Sequence, residues 1–155
     1  MSVRAFNLQF DVVESHPMSD RVKRVTEKLK PWGREIWFSW TDSYAGKILE
    51  LNKGHQFSLQ YHEKKTETQY IFSGKILLTY GTDANKLHKK TLSAGQKFHV
   101  PVGMIHRAKA LEKTVIFEVS TPELDDVVKL ADDYGRSGKG NDEKADKKLH
   151  KKSSK

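Results

Sequence analysis

The chain of 155 residues carries 28 Lys and Arg against 20 Asp and Glu, a formal charge of +8, with 36% apolar residues, seven Phe, five Tyr and three Trp. That is about one domain at roughly 100–200 residues each, with enough apolar and aromatic content to build a core rather than a disordered chain. Cysteine is absent, which excludes disulfide scaffolds, thiolate metal sites and thiol nucleophiles, and no apolar run approaches the roughly 20 residues that cross a bilayer.

In chain order, residues 5–12 alternate, with Phe6, Leu8, Phe10 and Val12 on one face, the period of a half-buried strand. Ser19 can cap a short helix carrying Val22, Val25 and Leu29, and Pro31 stops it. From Gly33 onward nine short strand-like segments follow, at 34–40, 45–52, 56–62, 67–72, 75–80, 89–92, 97–100, 105–110 and 114–120. Gly54, Gly74, Gly81 and Gly95 punctuate them. Strands without intervening helices imply an all-β sandwich or barrel. A second helix is expected over 123–132, with Pro122 at its first turn.

Residues 137–155 hold seven Lys and three acids and almost no apolar side chain, so they are expected to be a disordered basic tail. Half of the positive excess therefore sits in the tail. No basic helix or aromatic stacking platform supports specific nucleic-acid recognition. Met1–Arg4 lead into alternating residues and not into an apolar signal core, so a cytoplasmic protein without membrane association is expected.

The chemistry concentrates in two stretches. Gln60 and His62 are two apart and project from one face of a strand. Glu67 follows, then Gly74; later come Gly95, Pro101, Gly103 and His106. If these stretches pack together, an amide oxygen, a carboxylate and two imidazoles converge. That mixed N/O set suits one divalent transition metal per subunit: zinc first, with Fe, Mn, Ni or Co possible, over calcium. His16, His88 and His150 lie in polar segments and read as solvated. His99 reads as a rim or surface residue and Trp32 as a structural plug.

The spacings resemble the two motifs of the cupin superfamily, G-x5-H-x-H-x4-E-x6-G and G-x5-P-x-G-x2-H-x3-N. This chain has Gln60 at the first His and Ala110 at the final Asn. Further segments are similar to type II mannose-6-phosphate isomerases. They are Lys30-Pro31-Trp32-Gly33, Ser58-Leu59-Gln60-Tyr61-His62, Val100-Pro101-Val102-Gly103, His106-Arg107, Glu118-Val119, Asp125-Asp126 and Asp132-Asp133-Tyr134-Gly135-Arg136. The family's E-H-W is Glu67-Thr68-Gln69 here, and its Arg before that Glu is Lys65.

The resemblance implies a single-domain cupin β-barrel (jelly roll) over 30–136, with an N-terminal strand and short helix over 1–29 and the tail over 137–155. It implies metal-dependent aldose–ketose isomerisation of a sugar phosphate, mannose 6-phosphate to fructose 6-phosphate. Glu118 is the implied base, grouped with Lys47 in the catalytic set. Lys65, Arg107 and Arg136 are the implied substrate contacts. Strand alternation alone leaves open which face of 114–120 looks inward, since Val115, Phe117 and Val119 oppose Ile116, Glu118 and Ser120. Two other readings stand beside the isomerase: a metal-dependent oxygenase and a non-catalytic sugar-binding module. A homodimer is expected on general grounds, with strand 5–12 a candidate to join a neighbour's sheet.

Overall fold

The computed structural model describes residues 23–153. The expected strand 5–12 lies outside those residues. Twelve strands and one helix follow: β1 (Thr26–Lys30), β2 (Gly33–Trp40), β3 (Ala45–Leu51), β4 (Leu59–Tyr61), β5 (Glu67–Ser73), β6 (Lys75–Gly81), β7 (His88–Ser93), β8 (Lys97–Val100), β9 (Ile105–Ala110), β10 (Thr114–Ser120), β11 (Val128–Ala131), β12 (Gly138–Lys139) and α1 (Glu143–Ser153). They form two six-stranded sheets, ordered β1-β2-β3-β10-β5-β8 and β12-β11-β4-β9-β6-β7. Every pairing is antiparallel. This is the all-β jelly-roll barrel that the resemblance implies.

Each sheet buries one face against the other, and registered rows assign the inner face. On the first sheet the row Leu49–Ile116–Ile71 is apolar and buried. It packs on Ile76, Leu78, Leu92, Ala108 and Ala110 of the second sheet, with Trp32 and Phe57 at its margin. Trp32 is thus the structural plug. The next row, Lys47–Glu118–Gln69, is polar and equally buried. One end of the barrel is therefore a hydrocarbon core and the other a charged cavity. Gly103, with φ 79°, makes the tight turn before β9. Its N–H donates to the His62 carbonyl at 2.9 Å, which ties the two ligand-bearing stretches together; a β-carbon would strain that left-handed turn.

Three expectations are corrected. Residues 26–30 are a strand, not the end of a helix: they pair along β2 through the turn at Pro31–Trp32, and Val25 is exposed. Hairpin pairing outweighs a sparse helical spacing. Residues 123–132 are turns followed by β11, not a helix. Asp126 is the cause, because its carboxylate accepts from the N–H groups of Glu63, Lys64 and Lys65 at 3.1, 2.6 and 2.7 Å, and those bonds fix it against another loop. The tail is not disordered over 138–153. Asp142 caps α1, accepting from the N–H groups of Lys144 and Ala145 at 3.0 Å each, and ion pairs rather than apolar burial dock the helix on β1.

Candidate metal centre and its charged cavity

His62 follows β4, Glu67 opens β5 and His106 lies on β9. The antiparallel sheets bring these three to one point, with potential ligand atoms all within 4.8 Å of one another. Each imidazole is oriented from behind. His62 Nδ1 donates to the Asp126 carbonyl, and His106 Nδ1 donates to the Met104 carbonyl at 3.1 Å. Those bonds leave both Nε2 lone pairs bare and pointing inward, the tautomer a metal requires. Neither Nε2 makes a hydrogen bond, although both are buried. They face Glu67 at 3.6 and 3.2 Å. Ligands about 2.1 Å from a shared tetrahedral metal stand roughly 3.4 Å apart, so the residues present fit such an ion. Gln60 is the register partner of His106, lines the same cavity, and accepts from Ser58 Oγ at 3.2 Å.

Around this group the charges are buried and alternate in sign. Lys65 Nζ lies 2.5 Å from Glu67 and 3.4 Å from Glu118. Lys47 Nζ lies 4.0 Å from Glu118 and 3.4 Å from Glu35. Gln69 donates through its amide to Glu67 at 2.9 Å and to Glu118 at 3.2 Å. Burial opposes ionisation of Glu67, but the adjacent Lys65 ammonium outweighs it and holds that carboxyl well below the usual range. At Glu118 burial prevails, reinforced by the Glu67 charge and only partly offset by Lys65 and Lys47, so its carboxyl is raised. Burial also opposes ionisation of Glu35, yet Lys47, Lys30 and the Trp37 N–H lower it to about 2.

The structure brings together Gln60, His62, Glu67, His106, Lys47, Lys65, Glu118 and Arg136. Glu118 faces inward, while the more apolar residues of its strand, Phe117 and Val119, face out. Arg107 is not part of the cavity lining; it donates to the Ala131 carbonyl at 2.7 Å instead. His99 is an exposed surface residue outside the cavity lining, hydrogen-bonded with Thr68 at 3.1 Å. His150 is not simply solvated, since its Nδ1 donates to the Lys30 carbonyl at 2.8 Å. Lys30, Glu35, Gln69, Lys129 and Asn141 also line the cavity and were not expected there. Glu35 and Gln69 sit two residues from other inward side chains on their strands, which is the only signal that could have found them. Among the described residues no helix is long and apolar enough to cross a membrane.

Fold and site together define a double-sheet β-barrel with a buried His/Glu/His group able to hold a divalent metal. Residues 44–133 match the sequence model of the cupin family, more than half of the chain, and the chain belongs to that family. It is 28% identical over 115 residues to mannose-1-phosphate guanylyltransferase of Escherichia coli (strain K12), covering 71% of this chain and 23% of that protein. It is 40% identical over 48 residues to germin-like protein 5-1 of Oryza sativa subsp. japonica, covering 31% and 22%. The chain thus spans less than a quarter of the length of these curated relatives. Among solved structures it resembles KdgF from Halomonas sp., with TM-score 0.56, 19% identity and coverage of 72% of this chain and 97% of that one. It also resembles oxalate decarboxylase from Bacillus subtilis, with TM-score 0.60, 17% identity and coverage of 68% and 30%. These structural likenesses carry the fold.

Proposed function

We propose that the cavity is the active site of a metal-dependent sugar-phosphate aldose–ketose isomerase, with mannose 6-phosphate and fructose 6-phosphate the first pair to test. The observation that carries it is the pairing of two buried features: a His/Glu/His group with bare inward nitrogens, and a second buried carboxylate, Glu118, beside it. Similarity to a relative named for mannose 1-phosphate supports a phosphorylated sugar as ligand.

His62, Glu67 and His106, with Gln60 completing the set, would hold the metal, zinc first. Once bound, it supplies Lewis-acid polarisation of neighbouring sugar oxygens. The protein's own groups do the rest. Glu118 accepts the proton from the carbon next to the aldehyde and returns it to the former aldehyde carbon, while the hydroxyl proton of that neighbouring carbon passes to the former aldehyde oxygen. Lys65 and Lys47, at 3.4 and 4.0 Å, fix its orientation. Five cations line the cavity (Lys30, Lys47, Lys65, Lys129 and Arg136) against the carboxylates Glu35 and Glu118. That excess favours an anionic ligand. Lys30, Lys129 and Arg136 lie towards the C-terminal segment and are the phosphate contacts; Arg107, directed elsewhere, is not.

A coupled assay on metal-loaded protein tests this reading. It predicts interconversion of the two hexose phosphates that stops on chelation. No turnover of any phosphorylated or free aldose with Zn, Mn, Co, Ni or Fe would overturn it. A second reading is favoured by the two-His, one-carboxylate composition of the group, which suits iron oxygen chemistry; oxygen uptake by the iron-loaded protein would select it.

The protein acts as a homodimer in this proposal. Phe72 and Phe117 stack at 4.8 Å on the outer face of the first sheet, beside the exposed Phe38, Tyr70 and Val119. At about 100 Å² per half-exposed aromatic side chain, this face offers a large part of the roughly 800 Å² per partner of a stable interface. Light scattering is expected to give a dimer that a charged Phe72→Asp, Phe117→Asp pair converts to monomer. A wild-type monomer would refute it.

A further inference from the structure

One line of buried charges runs from the metal group to the C-terminal helix. From Glu35 it continues to Lys30 at 3.7 Å, to Asp146 at 2.9 Å, to Arg136 at 2.9 Å and to Asp132 at 2.6 Å. Asp146 is the one buried residue of α1. Each of its two carboxylate oxygens takes one cation, Oδ2 from Lys30 and Oδ1 from Arg136, the two-pronged presentation that a phosphate group also offers. Lys30 and Arg136 both line the cavity, whereas Asp146 lies behind them with a side chain 3% exposed. The segment that supplies it falls beyond the residues matched to the family, 44–133.

We propose that Asp146 is a built-in competitor for the anionic group of the ligand, so that anion binding in the cavity and docking of α1 oppose each other. This rests on the reading of the cavity as a site for a phosphorylated ligand. Lys30 and Arg136 each present one charge, and an anion entering the cavity draws both towards itself. Asp146 is then left buried without its partners, a costly state for a carboxylate. Among the described residues, other polar ties of α1 to the β1–β2 hairpin include the partly exposed Lys28–Glu143 pair, the His150 bond to the Lys30 carbonyl, and a bond from Ser153 Oγ to the Pro31 carbonyl at 2.7 Å. The helix therefore loosens when the ion pairs are lost. Coupling of this kind is reciprocal: the factor by which a bound anion weakens docking of α1 is the factor by which docking weakens anion binding. Lys129 adds to the positive cluster. Its ammonium is held below its usual range by burial and by the Arg136 and Lys30 charges, which marks a region where Asp146 and Asp132 leave positive charge uncompensated.

The test uses the full, metal-loaded chain with inorganic phosphate as probe, at ionic strength held constant with chloride. Calorimetry should show Asp146→Asn binding phosphate about tenfold tighter than wild type. Ser153→Ala, which loosens α1 without changing charge near the two cations, should raise affinity by less than Asp146→Asn. In the wild-type protein, saturating phosphate should speed amide exchange across α1 by about fivefold or more. That arm decides the matter if Asp146→Asn does not fold. The proposal is overturned if Asp146→Asn binds phosphate no tighter than wild type. It also falls if α1 exchange is unchanged, or if wild type and variant both ignore phosphate. Turnover of mannose 6-phosphate is measured separately, so loss of this proposal leaves the isomerase reading to stand or fall by its own assay.

Discussion

Replacing Glu35 by Gln isolates the energetic role of a buried carboxylate among lysines. Glu35 receives the Trp37 indole N–H at 2.8 Å and stands 3.4 Å from Lys47 and 3.7 Å from Lys30, with its side chain 12% exposed. Gln keeps the volume and an acceptor for Trp37 but removes the charge between two buried ammonium groups. Burial works against ionisation, and the two lysines win, lowering the carboxyl from 4.5 to about 2. A carboxyl depressed on folding stabilises the native state above its unfolded pKa and loses that contribution as pH falls towards its folded value. The depression corresponds to roughly 3 kcal/mol at pH 7 and roughly 1 kcal/mol at pH 3. At pH 7 the deficit should appear as a melting temperature lower by about 10 °C for a chain of this size. Urea unfolding of both proteins at pH 7 and pH 3, with metal content matched, reads the two values. A deficit below about 0.5 kcal/mol at pH 7, in the range of ordinary surface changes, would refute the reasoning. So would a deficit that did not shrink at pH 3.

Gln69→Leu removes the amide that holds Glu67 and Glu118 together. Metal affinity, read by competition with a chromophoric chelator, should fall about 10- to 100-fold, as for other partners that orient a ligand; unchanged affinity would show that the amide does not position Glu67. Glu118→Gln should lower turnover by about 10²- to 10⁴-fold while the bound metal stays at wild-type level. Loss of the metal in that variant would place Glu118 among the ligands instead. Asp126→Ala should leave the N–H groups of Glu63, Lys64 and Lys65 without their acceptor and cost about 1–3 kcal/mol in urea unfolding; no loss would mean that water replaces the carboxylate fully.

The strands were legible because alternation and glycine punctuation act locally. Segments 34–40, 45–52, 75–80, 105–110 and 114–120 lie within one residue of β2, β3, β6, β9 and β10. The metal group was legible for a similar reason: Gln60 and His62 share a strand face, and the Gly103 turn delivers His106. What the pattern hid is the inside of the barrel. On β10 the residues that look like a core face, Phe117 and Val119, are outside, and Glu118 is inside. A reading that puts charge outward cannot foresee Glu35, Lys30 or Asp146, because each sits inside only through an oppositely charged partner that the fold brings beside it. Lys30 and Asp146 are 116 residues apart. The same cause explains the tail: α1 has little apolar surface to bury, so composition predicts disorder, and its docking depends on ion pairs that become visible only in three dimensions. Segment 123–132 failed as a helix because the Asp126 carboxylate is committed to three backbone donors across the chain.

The most direct measurement is metal content by elemental analysis, on protein exposed to excess zinc and then desalted, for the wild type and for His62→Ala, His106→Ala. The account predicts about one zinc per wild-type chain and essentially none in the double variant. Zinc absent from the wild type, or retained in full by the variant, would contradict it.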